Sequence, residues 1–93
     1  MDLGRLELAM IEYLLETLRK EKGKTYDDIA GYVYGTDNIQ QSRLRLYRLR
    51  KPAKGGSPKK LTFEDFVRIC EAVDESPVEV LAQWLVKAKR SEI

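Results

Sequence analysis

Residues 25–50 read Thr25-Tyr-Asp-Asp-Ile-Ala30-Gly-Tyr-Val-Tyr-Gly35-Thr-Asp-Asn-Ile-Gln40-Gln-Ser-Arg-Leu-Arg45-Leu-Tyr-Arg-Leu-Arg50. Thr25-Tyr-Asp-Asp28 has the form of a capping box, with Thr25 as N-cap and Asp28 at the third helical position. Ile29, Tyr32 and Val33 follow at helical spacing, and Gly35 ends the helix. Gly31 lies inside it, at about 1 kcal/mol of propensity relative to alanine; a close helix–helix contact would explain it. Thr36, Asp37 and Asn38 are turn and cap residues, and either Asp37 or Asn38 suits the start of a further helix from about Ile39 to Arg50. Lys51-Pro52 stops that helix, because proline disfavours the helical conformation of the residue before it. The stretch is therefore two short helices joined by a tight turn, the second of them basic.

Outward from this pair, residues 3–21 read as a helix. Leu3, Leu6, Met10, Ile11, Leu14 and Leu18 form one apolar face, and Gly23 follows as a stop. Residues 51–60 make a basic loop rich in glycine and proline, a composition that predicts mobility. Thr62-Phe-Glu-Asp65 repeats the capping pattern and opens a helix with Phe63, Phe66, Val67, Cys70 and Val73 on one face. Ser76-Pro-Val-Glu79 opens the last helix, which runs to about Arg90 with a stripe of Val78, Leu81, Leu85 and Ala88. No segment alternates as a strand does, and no repeat is visible. The expectation is an all-α bundle of five short helices in a single domain over residues 1–93, with its core in 5–90.

The composition narrows the function. With 93 residues, 43% hydrophobic and 34% charged, the chain suits one small globule with a modest core. No apolar run approaches the roughly 20 residues of a membrane span. The start, MDLGRLELAM, carries acids and lacks a small-residue cleavage site, unlike a signal peptide. The single cysteine, Cys70, excludes an internal disulfide framework and a cysteine-based zinc site, and fits a reduced, cytoplasmic setting. Histidine is absent, which removes imidazole acid–base chemistry and histidine metal sites. None of the glycines opens a phosphate-binding loop. Asp27 and Asp28 are helix neighbours and point apart, so they do not form a carboxylate pair. Neither an enzyme, a cofactor nor a metal is expected.

Charge is divided sharply along the chain. Between Asn38 and Phe63 fall 8 of the 17 basic residues (Arg43, Arg45, Arg48, Arg50, Lys51, Lys54, Lys59 and Lys60) and none of the 15 acids. The net charge of +2 thus hides a segment of +8 in a remainder of −6. A polyanion is the natural partner of such a segment, and the acidic remainder confines contact to one face.

Five short helices with a basic third helix suggest a helix-turn-helix arrangement, in which the second helix of the pair enters the major groove of DNA. Here the chain resembles the lambda-repressor-like helix-turn-helix domain, also called the xenobiotic-response-element family. The resemblance lies in Leu18-Arg-Lys-Glu-Lys-Gly23-Lys-Thr25-Tyr-Asp-Asp-Ile29-Ala30 and in Leu61-Thr-Phe-Glu-Asp-Phe-Val-Arg-Ile-Cys-Glu-Ala-Val-Asp-Glu-Ser-Pro-Val-Glu-Val-Leu81, and spans about residues 8–83. The segment between Gly35 and the third helix is longer than the family's, the glutamate–glycine ending of that helix is replaced by Arg48 to Lys51, and the following loop is long.

The resemblance implies a repressor-type regulator that binds double-stranded DNA in a sequence-specific manner. Gln40, Gln41, Ser42, Arg43 and Arg45, in the first turns of the third helix, would meet base edges, since arginine pairs with guanine and glutamine with adenine. Thr25, Tyr26, Arg48, Arg50, Lys51, Lys54, Lys59 and Lys60 would meet phosphates; for Tyr26 the alternative is packing. Two registers of the third helix stay open. With Leu44 and Tyr47 inward, Gln41, Arg45 and Arg48 share a side. With Leu46 and Leu49 inward, Arg43, Arg50 and Tyr47 are exposed. Gln41-Ser42 resembles the start of the family's recognition helix and favours the first register. The last helix is long for this family, and through Trp84 and Leu85 it would cover its own core or join a second copy as a homodimer. An antitoxin or other protein-binding module on the same fold is the alternative function, and an RNA or nonspecific nucleic-acid binder a third.

Overall fold

The helix starts are fixed by side chains that satisfy otherwise orphaned backbone N–H groups. Thr25 Oγ1 accepts from Asp28 N at 3.0 Å and Thr25 N donates to Asp28 Oδ2 at 2.8 Å, completing the capping box. Asn38, rather than Asp37, caps the next helix, its Oδ1 accepting from Gln41 N at 3.1 Å. Thr62 and Ser76 accept from Asp65 N and Glu79 N. The computed structural model describes residues 2–51, 56 and 59–93. Among these residues five helices form, with no strand, giving the expected all-α bundle. We label them α1 (residues 3–21), α2 (Tyr26–Tyr34), α3 (Ile39–Tyr47), α4 (Phe63–Ala72) and α5 (Pro77–Lys89). The mobility expected of the basic loop concerns residues 52–55 and 57–58, which lie outside the described residues, as does the phosphate contact expected of Lys54.

Helix ends are equally local. After α1, Lys24 N bonds Arg19 O at 3.0 Å and Gly23 N bonds Lys20 O at 3.1 Å, with Gly23 at φ +67°. This is a Schellman closure, and glycine enters the left-handed region there without a Cβ penalty. The same closure ends α4 with Asp74 in the left-handed position, at φ +57°.

α1 departs from the sequence expectation in one respect: it is α-helical over Leu3–Glu12, π-helical over Tyr13–Leu18 and α-helical again over Arg19–Glu21. Along this helix Leu6, Met10, Ile11, Leu14, Leu15 and Leu18 are all buried. α2 packs on α3 and α4, while α5 packs on α1 and α4. The shared core joins the α1 leucines with Ile29, Ala30, Val33, Leu46, Leu49, Phe66, Ile69, Cys70, Val73, Val80 and Trp84. Trp84 packs against Tyr13 of α1, ring centroids 5.4 Å apart and planes tilted by 55°. Burial pushes the Cys70 thiol up to about 12.

The α2–α3 contact accounts for Gly31. A Cβ there would lie 3.0 Å from Thr36 Cγ2 and 3.6 Å from Ile39 Cδ1, so glycine permits the close approach. Several expected core positions are instead solvent-facing. Phe63 is 82% exposed because it occupies the first turn of α4, outside the arc of Phe66, Ile69, Cys70 and Val73. Tyr32, Val78 and Leu81 are also exposed; on α5 the buried line runs through Val80 and Trp84, with Leu85 and Ala88 half-buried. Among the described residues, no helix is long and apolar enough to cross a membrane.

Candidate functional site

The register of α3 decides which side chains the site holds. Leu46 and Leu49 are 0% and 1% exposed, whereas Leu44 and Tyr47 are 45% and 46% exposed. The favoured register, with Leu44 and Tyr47 inward, is therefore overturned. Ile39, Ser42, Leu46 and Leu49 fall on one side of the helix, and α2 and the core take that side. The last expected turn also differs: α3 ends at Tyr47, and residues 48–50 close as a tighter turn through Leu49 N to Leu46 O and Arg50 N to Tyr47 O.

Ser42 is consequently not a base-contacting residue. It is buried, and its hydroxyl donates to Gly35 O at 2.7 Å, tying α3 to the turn that precedes it. Gly35 sits at φ +102°, which favours glycine at that carbonyl's residue. Gln40, Gln41, Arg43, Arg45 and Arg48 are exposed or partly so, as is Lys51 just beyond the helix. Lys59 joins their end of the site, its N–H bonding Arg48 O at 2.9 Å, while Lys60 lines a shallow hollow over the first turns of α1 with Asp2 and Glu7. Thr25 is exposed at the start of α2.

Three expected phosphate or pairing contacts are corrected. Tyr26 packs: its hydroxyl oxygen is buried without a hydrogen-bond partner, and desolvation holds its pKa above the ordinary value. Arg50 is drawn back to α1, where its guanidinium bonds Glu12 Oε1 at 3.0 Å and also Glu16 Oε1, leaving the side chain only 16% exposed. Trp84 is spent on the core, so it offers no free surface for pairing two copies, while Leu85 is half-buried against the same core.

The arginines on the flanks of α3 are also engaged. Arg43 makes two hydrogen bonds to Asp27 of α2. Arg45 lies 4.2 Å over the ring of Tyr34, whose hydroxyl donates to Asp65 Oδ2 of α4 at 2.9 Å. Burial first, and then that carboxylate, hold the Tyr34 hydroxyl well above its ordinary pKa. Between α1, the start of α2 and the outer face of α3 runs an open groove of about 550 Å³, lined by Glu16, Tyr26, Gln40, Arg43, Leu44, Tyr47 and Arg50. Asp27, Glu12, Glu16, Leu44 and Tyr47 were not singled out as site residues from the sequence. The periodicity gives Leu44 and Tyr47 no more weight than Leu46 and Leu49, the Gln41-Ser42 resemblance turns the first pair inward, and no local pattern links Arg50 to residues 34 and 38 positions earlier.

These ion pairs predict an acid-side loss of stability. The Arg50 bond holds Glu16 below its ordinary 4.5, the Arg43 bond holds Asp27 below 3.8, and the capping N–H and hydroxyl of Thr25 do the same for Asp28. A lowered folded-state pKa gives stability that is present above the unfolded value and is lost as pH falls through the folded one. Urea midpoints should therefore hold from pH 7 to 5 and fall below the ordinary carboxylate values. An unchanged midpoint at pH 3 would count against these pairs.

Compared with protein-family models, curated proteins and solved structures, the chain matches none.

Proposed function

We propose that this protein is a sequence-specific double-stranded DNA-binding regulator of repressor type, with α3 entering the major groove. One observation carries the reading: Gln40, Gln41, Arg45, Arg48 and Lys51 share the solvent side of a nine-residue helix and the turn after it, within a segment that contains no acid. Glutamine and arginine are the side chains that pair bidentately with adenine and guanine. The four-residue turn from Gly35 to Asn38, closed by Ser42, holds α3 rigidly against α2. The resemblance to the lambda-repressor-like domain points the same way. Binding rather than catalysis follows, as does a cytoplasmic location. Exposed Leu44 and Tyr47 suit contact with thymine methyl groups.

The same two residues favour a second reading, a protein-binding module, because together they are an apolar centre on a basic face. Fluorescence anisotropy of a labelled random duplex, titrated with salt, separates the two. DNA binding predicts about micromolar Kd at low salt and a log–log salt slope near −3, from roughly three phosphate contacts by Arg48, Lys51 and Lys59. A flat titration with no binding at low salt would leave the protein-binding reading.

A further inference from the structure

Arg43 of α3 and Asp27 of α2 are joined by two parallel hydrogen bonds: Nε donates to Oδ1 at 2.7 Å and Nη2 to Oδ2 at 2.7 Å. Both side chains remain accessible, 48% and 44% exposed. A guanidinium carries five N–H donors in a rigid fork. The pairing with Asp27 consumes its side edge, formed by Nε and Nη2. The end edge, with one hydrogen each on Nη1 and Nη2, keeps its donors, and their spacing matches O6 and N7 of guanine.

Two consequences follow from this geometry. The carboxylate neutralises the guanidinium, so the pair adds little to a general attraction for phosphate; what remains is directional hydrogen bonding. The carboxylate also fixes the orientation of a side chain that otherwise loses rotamer freedom on binding. Gln40, one turn earlier, and Leu44, the next residue, line the same groove, so the end edge stands among other groups suited to a base pair. Asp27 itself is not needed for the helix start, because Thr25 and Asp28 form that cap.

We infer that Asp27 is a positioning residue that presents the end edge of Arg43 to a guanine in the major groove. The inference rests on the DNA-binding reading above and is tested with the full chain. A preferred duplex is first selected from random sequences. Anisotropy then gives Kd for that duplex, for a version with the read guanine replaced by adenine, and for a random duplex. The intact protein should prefer the guanine about tenfold, within the range of one good bidentate contact. Asp27→Ala should reduce that preference to about twofold and leave random-duplex affinity equal or higher, since an acid has been removed. Arg43→Lys, which keeps the charge and loses the fork, should lose the same preference, and the double variant should lose no more. Asp27→Asn, which keeps the shape, serves if the alanine variant does not fold.

Retention of the tenfold preference by Asp27→Ala or Asp27→Asn would overturn the inference. So would a uniform rise in affinity for all three duplexes, which marks Asp27 as a mere charge. Binding of random duplex by the intact protein with no base preference would overturn the inference while leaving phosphate binding by α3 standing. No binding at all would remove both.

Discussion

Leu46→Ala is expected to remove about 2–5 kcal/mol of stability, and Leu44→Ala less than about 0.5 kcal/mol. The two leucines are two positions apart on α3, yet one has no exposed surface and the other is nearly half exposed. Truncating Leu46 leaves a cavity between α3 and the rest of the core, with Leu49, Ile29 and Val33 among the buried residues of the same cluster. Truncating Leu44 removes surface that water already reaches. Domains of this size have only about 5–15 kcal/mol in total, so the first loss is a large share of the whole. Urea unfolding of both variants decides the register of α3 directly. A greater loss in Leu44→Ala than in Leu46→Ala would reverse the assignment, and with it the set of side chains presented to a partner.

The second large effect concerns binding. Replacing Arg45, Arg48 and Lys51 together by alanine should weaken binding to random duplex by about a hundredfold or more at low salt. The log–log salt slope should flatten by about 2, roughly one for each of the phosphates met by Arg48 and Lys51, while Arg45 acts on base preference. Stability should change little for Arg48 and Lys51, which are exposed, and fall by about 0.5–1 kcal/mol for Arg45, which lies 4.2 Å over the Tyr34 ring. Arg50→Ala is the matched control. It removes the same kind of charge, but one already held by Glu12 and Glu16, so it should lower stability and leave the salt slope nearly intact. A slope that Arg50→Ala flattens by about 1, as the loss of either phosphate contact does, would mean that Arg50 leaves α1 when DNA arrives and that its pairing is no constraint.

Much of the bundle was legible in the sequence because its signals are short-range. The caps at Thr25, Asn38, Thr62 and Ser76 act over three residues, and the Gly23 closure over five or six. Gly31 could be read as a hint of close packing for the same reason. The face of α3 was less legible. Leu44 and Tyr47 on one side, and Leu46 and Leu49 on the other, give two apolar stripes of equal weight. What separates them is the packing of Ile39 and Ser42 against α2 and the preceding turn, a tertiary fact. The fate of each arginine was harder still. Whether one faces solvent or bonds a carboxylate depends on which acids the fold brings near, as Asp27 is brought to Arg43 and Glu12 to Arg50. The long final helix suggested a surface for a second copy, but its tryptophan packs against α1 instead.

That last placement has a practical corollary. Trp84 is the sole tryptophan of the chain, pressed on Tyr13 with the Lys87 ammonium 4.4 Å over its ring. Its emission is thus an optical gauge of whether the α1–α5 seam is shut, while a dye on the duplex follows events at α3. One sample can then be read in two colours, and a variant that merely loosens the bundle is told apart from one that stays shut and no longer holds its partner.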